Sequence, residues 1–146
     1  NRGFGGSEVF DSFNYAHLTV LQYLPKHIIM YAGGNDINAG KTPQRVLADF
    51  KAFVARVHAA LPECRISYIS NAPNPKRWAL IEQMRECSRL IEEFTQSDKR
   101  LQFINVYPHM LGPDGLPKPD IFLRDQLHMN EKGYAIWKEV VGPLLK

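Results

Sequence analysis

Lys26-His27-Ile28-Ile29-Met30-Tyr31-Ala32-Gly33-Gly34-Asn35-Asp36, followed by Thr42-Pro43, is the stretch that decides the fold. Lys26 to Tyr31 is strand-sized and carries the apolar run of a buried strand. It breaks at Gly33-Gly34-Asn35-Asp36, a turn composition. Thr42 then suits an N-cap, with Pro43 at the first helical position. Val46, Leu47, Phe50, Val54, Val57 and Leu61 recur at helical spacing, and Pro62 ends the pattern. Strand, turn and helix in that order open a unit in which the next strand lies parallel to the first.

The rest of the chain repeats the alternation. Arg65 to Ser70 is a second strand, closed by Asn71-Ala72-Pro73-Asn74-Pro75. A long helix is predicted from about Lys76 to Ser97, with Leu80, Ile81, Met84, Cys87, Leu90, Ile91 and Phe94 inward. Leu101 to Val106 is a third strand, and Pro108 to Asp120 is a loop rich in proline and glycine. Asn130 caps a terminal helix whose predicted apolar face is Tyr134, Ile136, Trp137, Val140, Val141 and Leu144. The pattern is that of an α/β protein, a parallel sheet between helical layers, in one domain spanning 1–146 with no repeat or linker. Three strands are few for such a sheet, which usually has about 4–6. Asn1 to Ser7 has the composition of a loop leaving a strand that lies before residue 1. At least one N-terminal strand is therefore expected upstream, and without it the sheet would expose an unpaired edge. Such an edge invites pairing with a second copy, as a homo-oligomer or by strand exchange.

Bulk composition excludes several classes. Of 146 residues, 18 are Lys or Arg and 15 are Asp or Glu, a formal charge of +3 that is scattered along the chain. Lys76-Arg77 and Lys99-Arg100 are isolated pairs, so no nucleic-acid footprint is indicated. No apolar run reaches the ~18 residues of a membrane span. Cys64 and Cys87 are too few for a disulfide framework at this size and are expected as reduced thiols. His17, His27, His58 and His109 lack metal-ligand spacing, so neither a metal nor any other cofactor is expected. No signal-peptide pattern is present, yet the chain opens on Asn1; this favours a cytoplasmic location and leaves a secreted or periplasmic bacterial one open.

Three segments fall where such sheets place ligands, in loops after the carboxyl ends of strands. Gly3-Phe4-Gly5-Gly6-Ser7 lets backbone N–H groups face a ligand. Gly33 to Asp36 sets an amide side chain on a tight turn. Asp125-Gln126-Leu127-His128 places a carboxylate three residues from an imidazole, the spacing of a general base and the group that orients it.

In this order the three blocks resemble those of the SGNH hydrolase (GDSL esterase/lipase) superfamily. Gly5-Gly6-Ser7 is similar to its glycine block, Gly33 to Asp36 to its Gly-x-Asn-Asp block and Asp125 to His128 to its Asp-x-x-His block. Asn71 to Trp78 and Gly133-Tyr134 are also similar to bacterial members. The resemblance implies a flavodoxin-like three-layer fold and hydrolysis of a small-molecule ester, short-chain acyl or acetyl, through an acyl-serine intermediate. His128 would be the general base, Asp125 its orienting partner, and Gly6 N–H with the Asn35 amide the oxyanion donors. Asp36 would brace the asparagine turn. Phe4, Trp78, Phe122 and Met129 would line the substrate pocket.

The family's serine block lies upstream of its glycine block, so the nucleophile is expected before residue 1 and not in this chain. Ser7 is expected as a helix N-cap and Ser12 as a helix surface residue, while Ser70 ends a strand and matches no block. The alternative is a non-catalytic domain of this type that binds a small ligand or self-associates.

Overall fold

In the computed structural model, which describes residues 1–145, the three predicted strands form as β1 (His27–Met30), β2 (Arg65–Ile69) and β3 (Leu101–Ile104). They make one sheet in the order β1-β2-β3 with both pairs parallel, Met30 opposite Tyr68 and Tyr68 opposite Phe103. Six α-helices are described: α1 (Val9–Asn14), α2 (Ala16–Thr19), α3 (Gly34–Asn38), α4 (Pro43–Ala60), α5 (Ile81–Thr95) and α6 (Glu131–Val141). The caps predicted at Thr42 and Asn130 hold. Thr42 Oγ1 accepts the Arg45 N–H at 3.2 Å, and Asn130 Oδ1 accepts those of Lys132 and Gly133 at 2.9 and 3.3 Å.

Alternation along the strands sends successive side chains to opposite faces. Met30, Ile66, Tyr68 and Leu101 bury one face in a cluster with Val46, Phe50 and Val57 of α4 and Met84, Cys87 and Ile91 of α5. On the other face Ile69 and Ile104 join Val106, Met110, Ile121 and Phe122, against which Ile136, Trp137 and Val140 of α6 pack. The result is three layers, with helices α4 and α5 on one side and α6 on the other. Each fully buried large apolar side chain stabilises the fold by about 1.5–3 kcal/mol, so the α4–sheet–α5 cluster dominates the core. Cys64 and Cys87 are both buried, unpaired thiols. Among the described residues no helix is long and apolar enough to cross a membrane.

Two expectations change. The helix predicted from Lys76 is two elements: a 3-10 turn over Pro75–Leu80, then α5 from Ile81. The Asn74 side chain accepts the Arg77 N–H at 2.9 Å, and Arg77 leaves helical geometry at φ −111°, ψ 20°, so the α-helical ladder starts only after this turn. Tyr134, assigned to the apolar face of α6, is 58% exposed; the inward face is carried by Ile136, Trp137 and Val140.

The turn after β1 ties the amino-terminal segment to the sheet. Gly33 has φ 101°, a left-handed value, and a Cβ there would come 2.7 Å from the Tyr68 hydroxyl. That hydroxyl donates to the Ala32 carbonyl at 2.7 Å, so it has no freedom to withdraw. Asp36 follows, fully buried, and both its carboxylate oxygens lie 3.2 Å from the Val9 N–H at the start of α1. Lys41 Nζ stands 3.5 Å from the same carboxylate and also bridges Glu8 and Asp49. Burial pushes the Asp36 carboxyl above its ordinary value, against the opposing pull of the Val9 N–H and Lys41. Asp36 thus braces the glycine-rich loop as well as its own turn. Asp36→Ala leaves the buried Val9 N–H without its acceptor and should cost about 1–3 kcal/mol in urea denaturation; a loss below about 0.5 kcal/mol, the range of ordinary surface substitutions, would contradict this role.

Candidate active site

Every loop at the carboxyl edge of the sheet contributes to one cavity of about 420 Å³. Its wall includes Gly6 from the amino-terminal loop, Asn35 from the loop after β1, Asn71 and Arg77 from the loop after β2, and His128. Phe4, Phe122 and Met129 also line it, and Trp78 does not. The structure therefore brings together Gly6, Asn35 and His128, which lie far apart in sequence.

His128 is held by Asp125. The Nδ1 atom is 2.5 Å from Asp125 Oδ2, while Asp125 Oδ1 accepts the N–H groups of Leu127 at 3.0 Å and His128 at 2.9 Å. A carboxylate only accepts, so Nδ1 carries a proton, and in the neutral ring that tautomer leaves Nε2 as the acceptor. The His128 hydrogen bond first, and the two backbone N–H groups next, hold the Asp125 carboxyl far below the usual carboxylate range. The His128 side chain is 69% exposed, so this carboxylate rather than burial sets its orientation. Between the two residues the chain bends through Gln126 at φ 58°, a value that few residues other than glycine adopt. The bend is anchored from outside: the Gln126 carbonyl accepts the Lys76 N–H at 3.1 Å.

Gly6 has φ 74°, and its N–H donates to no other described residue. Asn35 has both ends of its amide engaged. Nδ2 donates to the Ser7 carbonyl at 3.0 Å, and Oδ1 accepts from Arg77 Nη2 at 3.0 Å. One partner can only accept and the other only donate, so the amide has a single orientation. One Nδ2 hydrogen goes to Ser7, and the second has no partner among the described residues.

The serines fall elsewhere. Ser7 is not the N-cap expected of it: α1 begins after Glu8, which exchanges hydrogen bonds with Asp11 in a capping box, and Ser7 Oγ donates to the Phe4 carbonyl at 2.9 Å. Ser12 lies on α1. Ser70 is buried and accepts the Val106 N–H at 3.0 Å. None of these hydroxyls bonds to His128. The orphan in the region is Asn71 Oδ1, buried without a partner among the described residues and close under the Gly33-Gly34 turn.

Arg77, Asn71 and Asn74 line the cavity too; sequence reading notes Asn71 to Trp78 as a family-like segment and gives these three no role. The signal for Arg77 was present in Asn74-Pro75, a cap followed by proline; reading that pair as the close of a strand and Lys76 as the start of a long helix hid the turn.

Known proteins share this arrangement of elements. A Streptococcus pneumonia protein named for platelet activating factor superposes with a TM-score of 0.89 at 19% identity, over 100% of this chain and 72% of that one. A carbohydrate esterase family 3 member from Talaromyces cellulolyticus gives 0.83 at 18% identity, over 98% and 68%. The OSK domain of Drosophila Oskar gives 0.81 at 18%, over 97% and 71%. At these identities the likeness establishes the fold. No curated protein sequence matches the chain. The profile of the GDSL-like lipase/acylhydrolase family matches residues 1–136. With the profile spanning nearly the whole chain and the fold agreeing, the chain belongs to that family.

Proposed function

We propose that this chain supplies the general base, its orienting carboxylate and the oxyanion donors of a serine ester hydrolase acting on short-chain acyl or acetyl esters. The observation that carries the reading is the convergence of Gly6, Asn35 and His128 on one cavity, with His128 Nδ1 held 2.5 Å from Asp125. In the reaction His128 Nε2 takes the proton of the serine hydroxyl as its oxygen attacks the ester carbonyl. The oxyanion of the tetrahedral intermediate receives the Gly6 N–H and the free Asn35 Nδ2 hydrogen. Asp125 stabilises the imidazolium, which returns the proton to the departing alcohol and leaves an acyl-serine. Water repeats the cycle on the acyl-enzyme and releases the acid.

The nucleophile in this reading is carried on a strand that pairs with the free edge of β1. That edge has no partner among the described residues, and a second cavity of about 710 Å³ runs beside Ile28 to Ala32. The full-length protein should hydrolyse nitrophenyl acetate or butyrate. His128→Ala should lower kcat by about 10⁴–10⁶-fold, and Asn35→Ala by about 10²–10³-fold. Retention of activity within tenfold in His128→Ala would refute the assignment.

The same edge supports a second reading, in which the domain is not catalytic and a second copy covers β1. Ile29 is 37% and Tyr31 49% exposed there, an apolar strip that two copies would bury. On that reading residues 1–146 migrate as a dimer in size-exclusion chromatography at micromolar concentration; a stable monomer over that range would exclude it.

A further inference from the structure

The turn Asn74–Arg77 touches both halves of the site and belongs to neither. Its Arg77 guanidinium donates from Nη2 to Asn35 Oδ1 at 3.0 Å, 42 residues back in the chain. One residue earlier, the Lys76 N–H donates to the Gln126 carbonyl at 3.1 Å, inside the Asp125–His128 loop. The turn itself is rigid at this point, because the Asn74 side chain accepts the Arg77 N–H at 2.9 Å and Asn74 is only 7% exposed. Consecutive residues of one capped turn therefore grip the amide and the imidazole loop together.

Arg77 is also electrostatically singular. Among the described residues lining the cavity it is the one Lys or Arg, and no Asp or Glu lines it. Its charge is thus delivered to Asn35 without a carboxylate in the cavity wall to absorb it. An amide whose carbonyl end accepts from a guanidinium is polarised, and its Nδ2 hydrogens become stronger donors. Without Arg77 the Ser7 carbonyl alone would hold the amide, and rotation about the last side-chain torsion would cost one neutral hydrogen bond. Flipped, Asn35 would turn an oxygen toward a developing oxyanion.

We infer that Arg77 is the positioning residue of this site: it fixes Asn35 with its Nδ2 toward the cavity and, through its turn, sets that amide against the His128 loop. The inference rests on the oxyanion role proposed above for Asn35, and its test has one arm that needs no turnover.

The first arm follows the Asn35 side-chain amide by ¹H–¹⁵N NMR in wild type, Arg77→Met and Arg77→Gln. In wild type the two Nδ2 protons should be well separated and shifted from free-asparagine values. In Arg77→Met they should collapse toward those values, with the rest of the spectrum preserved. Arg77→Gln, which keeps an uncharged donor, should give an intermediate shift and is the measurement of record if Arg77→Met does not fold. An Asn35 amide unchanged in both variants would overturn the inference, whether or not the protein is an esterase.

The second arm is a double-mutant cycle on the full-length protein with a short-chain nitrophenyl ester. Arg77→Met should lower kcat by about 10–10²-fold, a large part of one oxyanion donor's effect, with KM within threefold. Combined with Asn35→Ala it should add less than threefold, since the two side chains act through one hydrogen bond. Full additivity of the two losses, or a loss confined to KM, would overturn it. If wild type shows no turnover, the esterase reading fails and the amide shift alone decides the role of Arg77.

Discussion

Parallel strands have to finish on the same edge of their sheet, and the site follows from that constraint. β1, β2 and β3 all end where the loops bearing Asn35, Arg77 and the path to His128 begin. Residues distant in sequence arrive within one cavity because the strands beneath them are in register, Met30 beside Tyr68 beside Phe103. Ligand sites at the carboxyl ends of strands are the general outcome of such sheets. Here the loops do more than coincide. Asp36 pulls the start of α1 onto the loop after β1, and the Asn74–Arg77 turn ties the loops after β1 and β3 to each other.

Electrostatics then sorts these loops into roles. Asp125 spends one oxygen on the imidazole and the other on two backbone N–H groups, which keeps it ionised and holds the histidine in one tautomer. The Gly6 and Asn35 loops carry the opposite polarity: a free Gly6 N–H, an amide hydrogen and a guanidinium behind that amide. Donors and an imidazole lining one cavity suit the reaction proposed above, in which negative charge develops on an oxygen as a proton moves to nitrogen. The buried Asp36, whose burial raises its carboxyl above the ordinary value, is satisfied internally by the Val9 N–H and Lys41.

The fold was largely legible because its signals are local. The apolar run of β1, the cap at Thr42 and the stripe of α4 each point to one structure, and they agree with one another. The blocks bearing Gly6, Asn35 and Asp125–His128 were legible as loops at the carboxyl edge of the sheet, and Gly6, Asn35 and His128 do line one cavity there. What escaped was relational. Nothing within Lys76-Arg77 says that a guanidinium will meet an asparagine 42 positions earlier, and a helix-compatible composition concealed a turn set by the Asn74 cap. Ser7 has cap chemistry, but Glu8 and Asp11 satisfy the start of α1 between them and leave the hydroxyl to Phe4. Tyr134 sits on a helical apolar period, yet the loops it faces form a cavity wall and not a core. Covalent structure limits what neighbours a side chain can reach; the sheet decides which of them it meets.

The measurement that bears most directly on this account is the site of labelling by a fluorophosphonate on the full-length protein, mapped by peptide mass spectrometry. The account predicts a single adduct, on a serine outside residues 1–146, formed by wild type and lost in His128→Ala. An adduct on Ser7 or any other serine of this chain, or an adduct that forms equally well without His128, would contradict it.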